Sequence, residues 1–150
     1  MIFRDLLNVL LDPAPQPLSD GDARMALTAL LVRIARADHN YAEVEKDRID
    51  RINMARYGLD IGGAIILREQ AEGLEAEAPD TVRFTRAIKE AVALDNRIAV
   101  IESMWQVALA DGERDAQEDA LMRMAANLLG INDVQSAAAR QRVEKTTNGG

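Results

Sequence analysis

The sequence predicts an all-α fold: a single-domain helical bundle of about seven to eight helices arranged as two pseudo-symmetric halves. Three observations predict it. Apolar residues recur at helical spacing along most of the chain, and no segment alternates with period two for long enough to make a strand. With only two Phe, two Tyr and one Trp, the core must be built from Ala, Leu, Ile, Val and Met, a set that favours helices over sheets. A helix, acidic loop, helix, glycine, helix order also occurs twice. The 150 residues suffice for one domain with a real core.

The elements follow in order. Ile2, Phe3, Leu6, Leu7, Leu10 and Leu11 form one face of a short amphipathic helix, and Arg4, Asn8 and Asp12 form the other. This face is expected to pack on the body of the domain, the other readings being a membrane surface or a partner. Pro13, Pro15 and Pro17 end the helix and make a stiff connector, so residues 1–18 read as an appendage. The helical domain proper is expected over residues 19–145.

Ser19 or Asp20 caps a helix running to about Ala37, with Leu27, Leu30, Leu31, Ile34 and Ala35 as its buried stripe. A second helix spans about Ala42 to Arg56, buries Val44, Ile49 and Ile52, and is stopped by Gly58 in a left-handed conformation. A third runs from Asp60 to about Glu77. Pro79 and Asp80 start a fourth, with Phe84, Ala87, Ile88, Ala91 and Val92 at core spacing. Asp95 is expected to cap the helix reaching Ala110, which carries Ile98, Ile101, Trp105 and Ala108. A final pair spans about Ala116 to Leu129 and Asp133 to Val143, with Gly130 between them. Residues 146–150 read as a disordered tail.

The repeat is visible in ordered matches. Ala35-Arg36-Ala37-Asp38 corresponds to Ala108-Leu109-Ala110-Asp111, and a Glu stands seven positions after each Asp, at Glu45 and Glu118. Tyr57-Gly58-Leu59-Asp60 then corresponds to Leu129-Gly130-Ile131-Asn132. Met104-Trp105-Gln106-Val107-Ala108-Leu109-Ala110-Asp111-Gly112-Glu113, followed by Glu118 and by Leu128-Leu129-Gly130-Ile131, resembles the second half of a TerB-like domain of the tellurite-resistance B family. Ala37-Asp38 with Glu45 is similar to the first half, and the resemblance covers roughly residues 24 to 143. His39 stands where that pattern has Gly. The resemblance implies an all-helical fold, a link to tellurite or general stress responses, and an acidic, metal-binding surface. It implies no reaction.

Two readings of the acidic loops stand side by side. Hard divalent cations such as Ca²⁺, Mg²⁺ or Mn²⁺ want several converging carboxylate oxygens. If a pseudo-twofold relates the halves, Asp38, Glu45, Asp111 and Glu118 meet as a four-carboxylate cluster, with Glu113 and Asp115 as helpers. Asp111, Glu113 and Asp115 imitate the opening of an EF-hand loop, but Ala116 replaces its Gly and Met122 its bidentate Glu. Alternatively the acids are caps: Gly112 suits a helix C-cap, and Asp115 with Glu118 makes a capping box. The first half keeps Glu45 but has Ala42 at the capping position, which leaves that carboxylate without its capping partner. His39 is either a ligand or pH-sensitive group, or an ordinary loop residue. Trp105, Met104, Met122 and Met124 read as packing residues.

Composition narrows the function classes. There is no cysteine, hence no disulfide, thiolate site or cysteine nucleophile. The net charge of −7 and pI near 4.7, with no basic stripe, argue against a nucleic-acid partner and favour cations or basic proteins. No stretch approaches the roughly 20 apolar residues that span a bilayer, so any membrane association is expected to be peripheral, through a partner. The N-terminus lacks the order of a signal peptide, and the cytoplasm is expected. No P-loop, Gly-x-Gly-x-x-Gly or nucleophile–base pair is present. The expected function is a TerB-like, non-enzymatic binding module of the stress-response type, engaging a divalent cation through duplicated acidic loops. The alternatives are a protein-interaction or oligomerisation scaffold without metal, and a hydrolase with a carboxylate-bound metal.

Overall fold

The structure is a computed structural model that describes residues 6–8, 19–37, 41–78, 80–110 and 116–148. Within those segments, residues 20, 37, 81–83, 85, 106–110, 116–119, 121 and 146–148 are described as backbone alone. The described residues form seven helices and no strand: α1 (Asp20–Ala37), α2 (Glu43–Tyr57), α3 (Ile61–Glu77), α4 (Thr81–Ala91), α5 (Leu94–Ala110), α6 (Ala116–Leu128) and α7 (Asp133–Asn148). Residues 6–8 are also helical. None of these helices is long and apolar enough to cross a membrane.

Hydrogen-bonding side chains and glycine set the helix boundaries. Ser19 caps α1: its Oγ accepts from the Asp22 N–H at 3.2 Å and its carbonyl from the Ala23 N–H. Gly58 ends α2 with φ +65°, as the sequence required, and two residues later Asp60 caps α3 by accepting from the Gly63 N–H at 2.7 Å. The α6–α7 connection has the same local geometry. Gly130 sits at φ +74°, Ile131 N–H bonds back to the Ala126 carbonyl, and Asn132 Oδ1 accepts from the Gln135 N–H at 2.7 Å. Gln135 returns the bond by accepting from the Asn132 N–H, which completes a capping box.

Four expectations need correction. Val44 is 65% exposed because it shares the outer face of α2 with Asp47, Arg51 and Ala55, whereas Ile49 and Ile52 are buried. Met124 is exposed for the same reason: the inward face of α6 is Met122, Ala125 and Ala126. The cap of α5 is Ala93, whose carbonyl accepts from the Asn96 and Arg97 N–H groups. Asp95 lies inside the first turn, where its charge still opposes the helix dipole. The last helix passes Val143 and continues to Asn148, since no Gly or Pro interrupts it and Lys145 suits its C-terminal turn.

One contiguous core holds the bundle together. Its largest fully buried side chains include Phe84, Leu6, Leu30, Leu74, Ile88, Ile101, Leu129 and Ile131. Leu6 and Leu7 join this core while Asn8 faces outward, so that part of the N-terminal segment packs on the body. α1 packs most extensively on α3, and α5 on α7, which in each case pairs the first and third helices of a half. α2 joins the halves by packing on both α3 and α5, while α4 lies against α1 and α6. Trp105 is buried in the core, where its Nε1–H donates to Ser136 Oγ at 3.4 Å and Arg140 lies over its ring.

Candidate binding site

Of the six acidic residues expected to form a site, Glu45 alone is described with its side chain. Asp38, Asp111, Glu113 and Asp115 lie outside the described residues, as does His39, and Glu118 is described only as backbone within α6. Glu45 sits half-buried in the first turn of α2. The residue before that helix is Ala42, which has no side-chain cap, so the reciprocal bond of a capping box is missing. Among the described residues Glu45 makes no side-chain hydrogen bond or ion pair. No group of three or more His, Asp or Glu among them could hold a metal ion.

The ends of the helices position the acidic loops. α1 ends at Ala37 and α5 at Ala110, so each acidic loop follows the C-terminal, electronegative end of the first helix in its half. At the far end of α2, Arg56 donates to Asn96 Oδ1 in the first turn of α5 at 3.5 Å. Glu45 occupies the opposite end of α2 from that contact, and Asp111 follows the opposite end of α5.

Two polar clusters that sequence reasoning missed are built across α1, α2 and α3. In the first, Arg68 Nε donates to the buried Asp50 carboxylate at 2.8 Å and its Nη1 to Glu72 at 3.0 Å, and Tyr41 donates its hydroxyl to Glu72. Burial, with Glu72 beside it, pushes the Tyr41 phenol well above its usual range, and Asp50 and Glu72 hold the Arg68 guanidinium charged despite burial. In the second, the Glu75 carboxylate accepts from Arg33 Nε at 3.1 Å and Arg36 Nη1 at 2.6 Å, while Arg33 also reaches the Glu75 carbonyl. The signal was available: Asp50 and Asn53 fall at inward positions of α2, and a polar group there requires a partner. Asn53 pairs with Thr28.

A third polar feature is a cleft of about 230 Å³ lined by Ala23, Arg24, Leu27, Arg56, Tyr57 and Asn96. It brings together α1, the last turn of α2 and the first turn of α5, and among the described residues none of its lining is acidic. Burial pushes the Tyr57 phenol up, partly opposed by Arg56 and Arg24.

Two comparisons return nothing, since no curated protein and no solved structure matches the chain. The family model for tellurite resistance protein TerB matches residues 24–141, from the first turns of α1 to the middle of α7. That span takes in five helices whole and α1 and α7 in part, with both Gly–Asx connections and both acidic loops: the chain belongs to the TerB family.

Proposed function

We propose that this TerB-family domain is a non-enzymatic binding module of the tellurite-resistance stress response that takes a divalent cation between its two acidic loops. Asp38, Glu45, Asp111 and Glu118 are the ligands, with Glu113 and Asp115 in support. The observation that carries this reading is Glu45, a carboxylate at an uncapped helix start with no partner among the described residues. The ends of α2 and α5 remote from the Arg56–Asn96 contact are those next to Glu45 and Asp111, which supports a single shared site. The matching Gly–Asx connections support descent of the two halves from one repeated unit, and a repeat is what would bring like loops to a common axis.

The test is thermal unfolding with Ca²⁺, Mg²⁺, Mn²⁺ or Zn²⁺ present. A specific cation at 100 times its dissociation constant stabilises the fold by about 2.7 kcal/mol, a rise in Tm of roughly 5–10 °C. The double variant Asp111→Asn/Glu118→Gln loses that rise. An equal rise in the variant, or none in the parent, removes the cation and leaves an interaction scaffold whose acids serve as caps.

A further inference from the structure

The cleft between α1, α2 and α5 has the wrong charge for an acidic protein. The chain has 25 acidic residues against 18 Lys and Arg, yet neither Arg24 nor Arg56 makes an ion pair among the described residues. Both lie over the Tyr57 ring, at 4.6 Å for Arg24 and 5.7 Å for Arg56, so two like charges from different helices are held at one aromatic side chain. A guanidinium carries five N–H donors. Arg56 uses one, on Asn96 at 3.5 Å, and its Nε is buried with no acceptor among the described residues. Arg24 uses none on a side chain or carbonyl of the described residues. Leaving a buried charged donor unsatisfied costs more than a neutral one, and an acceptor carrying negative charge would recover that cost.

The surroundings favour such an acceptor. Asn96 is in the first turn of α5, where Asp95 already offsets the positive end of the helix dipole, so the positive charge of the cleft comes from the two guanidinium groups. The Tyr57 hydroxyl, like any phenol at neutral pH, is protonated and so able to donate. The volume of about 230 Å³ lies below the range of pockets that enclose whole organic ligands. We infer that this cleft is a binding site for a small, doubly charged oxyanion of the inorganic phosphate class, clasped by Arg24 and Arg56 with Asn96 and Tyr57 beside it. It is independent of the acidic loops and does not depend on a cation there.

The probe is inorganic phosphate, titrated at constant ionic strength against chloride into isotopically labelled full-length protein. The expected result is a saturable shift of the Arg24 and Arg56 Nε–H signals together with the Tyr57 and Asn96 amides. Arg56→Gln and Arg24→Gln each weaken binding by about tenfold or more, the loss of one charge-assisted hydrogen bond. Arg123→Gln, at an exposed position of α6, leaves it unchanged. Should Arg56→Gln fail to fold, Arg24→Gln carries the test. Phenyl phosphate binds more weakly than phosphate if the size argument holds, and tighter binding of the ester overturns it. Shifts without saturation, shifts spread over surface arginines, or unaltered affinity in Arg24→Gln overturn the site.

Discussion

The two ends of α1 treat arginine in opposite ways. Near its C-terminal end Arg33 and Arg36 converge on Glu75, and one layer over Arg68 is held between Asp50 and Glu72. Near its N-terminal end Arg24 and Arg56 both lie over the Tyr57 ring, and among the described residues neither pairs with a carboxylate. Burial alone does not explain the difference, since all of these guanidinium groups except the more open Arg36 are partly or largely enclosed. A folded chain pairs the charges it buries because an unpaired one is costly. The paired end therefore serves the fold, and the unpaired end is a place where the fold carries a cost that a ligand can offset.

This contrast can be broken most forcefully at Asp50. Asp50→Ala leaves Arg68 buried beside a single remaining partner and should destabilise the protein by about 3 kcal/mol in urea unfolding. A loss below about 1 kcal/mol would mean the pair is not a structural tie. Glu75→Gln sharpens the point: it keeps shape and a hydrogen-bond acceptor but removes the charge two arginines share, and a loss of about 2 kcal/mol is expected.

Alkaline titration compares the two ends directly, because each has one of the chain's two tyrosines. Both phenols ionise later in the folded protein than in the unfolded chain. Between the unfolded and folded values the native state holds more protons, so stability is intact below about pH 10 and falls as pH rises beyond it. Tyr57, whose rise from burial is opposed by two arginines, should ionise before Tyr41, whose rise from burial is reinforced by Glu72 even with Arg36 and Lys46 over its ring, as followed by tyrosinate absorbance in Tyr41→Phe and Tyr57→Phe variants. The reverse order would contradict the charge assignment of the two ends. The smallest effect is expected at the unpaired end: Arg24→Gln changes stability by less than about 1 kcal/mol, since only its packing on Tyr57 is lost. A large loss there would reveal a structural partner and weaken the case for a ligand.

Much of the fold was legible because local rules and core packing agree. Leu27, Leu30, Leu31 and Ile34 announce the buried face of α1, and Gly58, Asp60 and Gly130 adopt the conformations their chemistry favours. The misreadings have a common origin. Val44 and Met124 are apolar residues on outward faces, and periodicity decides burial only when the whole helix face is followed. Asp95 has a capping side chain, but the turn at Val92 and Ala93 set the start of α5 two positions earlier than a cap at Asp95 allows. The acidic loops could be recognised because each is a short motif in sequence. The arginine cleft could not, because Arg24, Arg56 and Asn96 come from three helices and only the packing of α1, α2 and α5 brings them together.

Whether the acidic loops share one ion is tested most directly with Mn²⁺, which reports it through paramagnetic broadening of backbone amide signals. Substoichiometric Mn²⁺ should broaden residues 38–45 and 111–118 together, at the same ion concentration, and excess Mg²⁺ or Ca²⁺ should restore both sets in parallel. Broadening of one loop without the other, or a diffuse loss of signal along all exposed acids, would contradict a site made by the two halves.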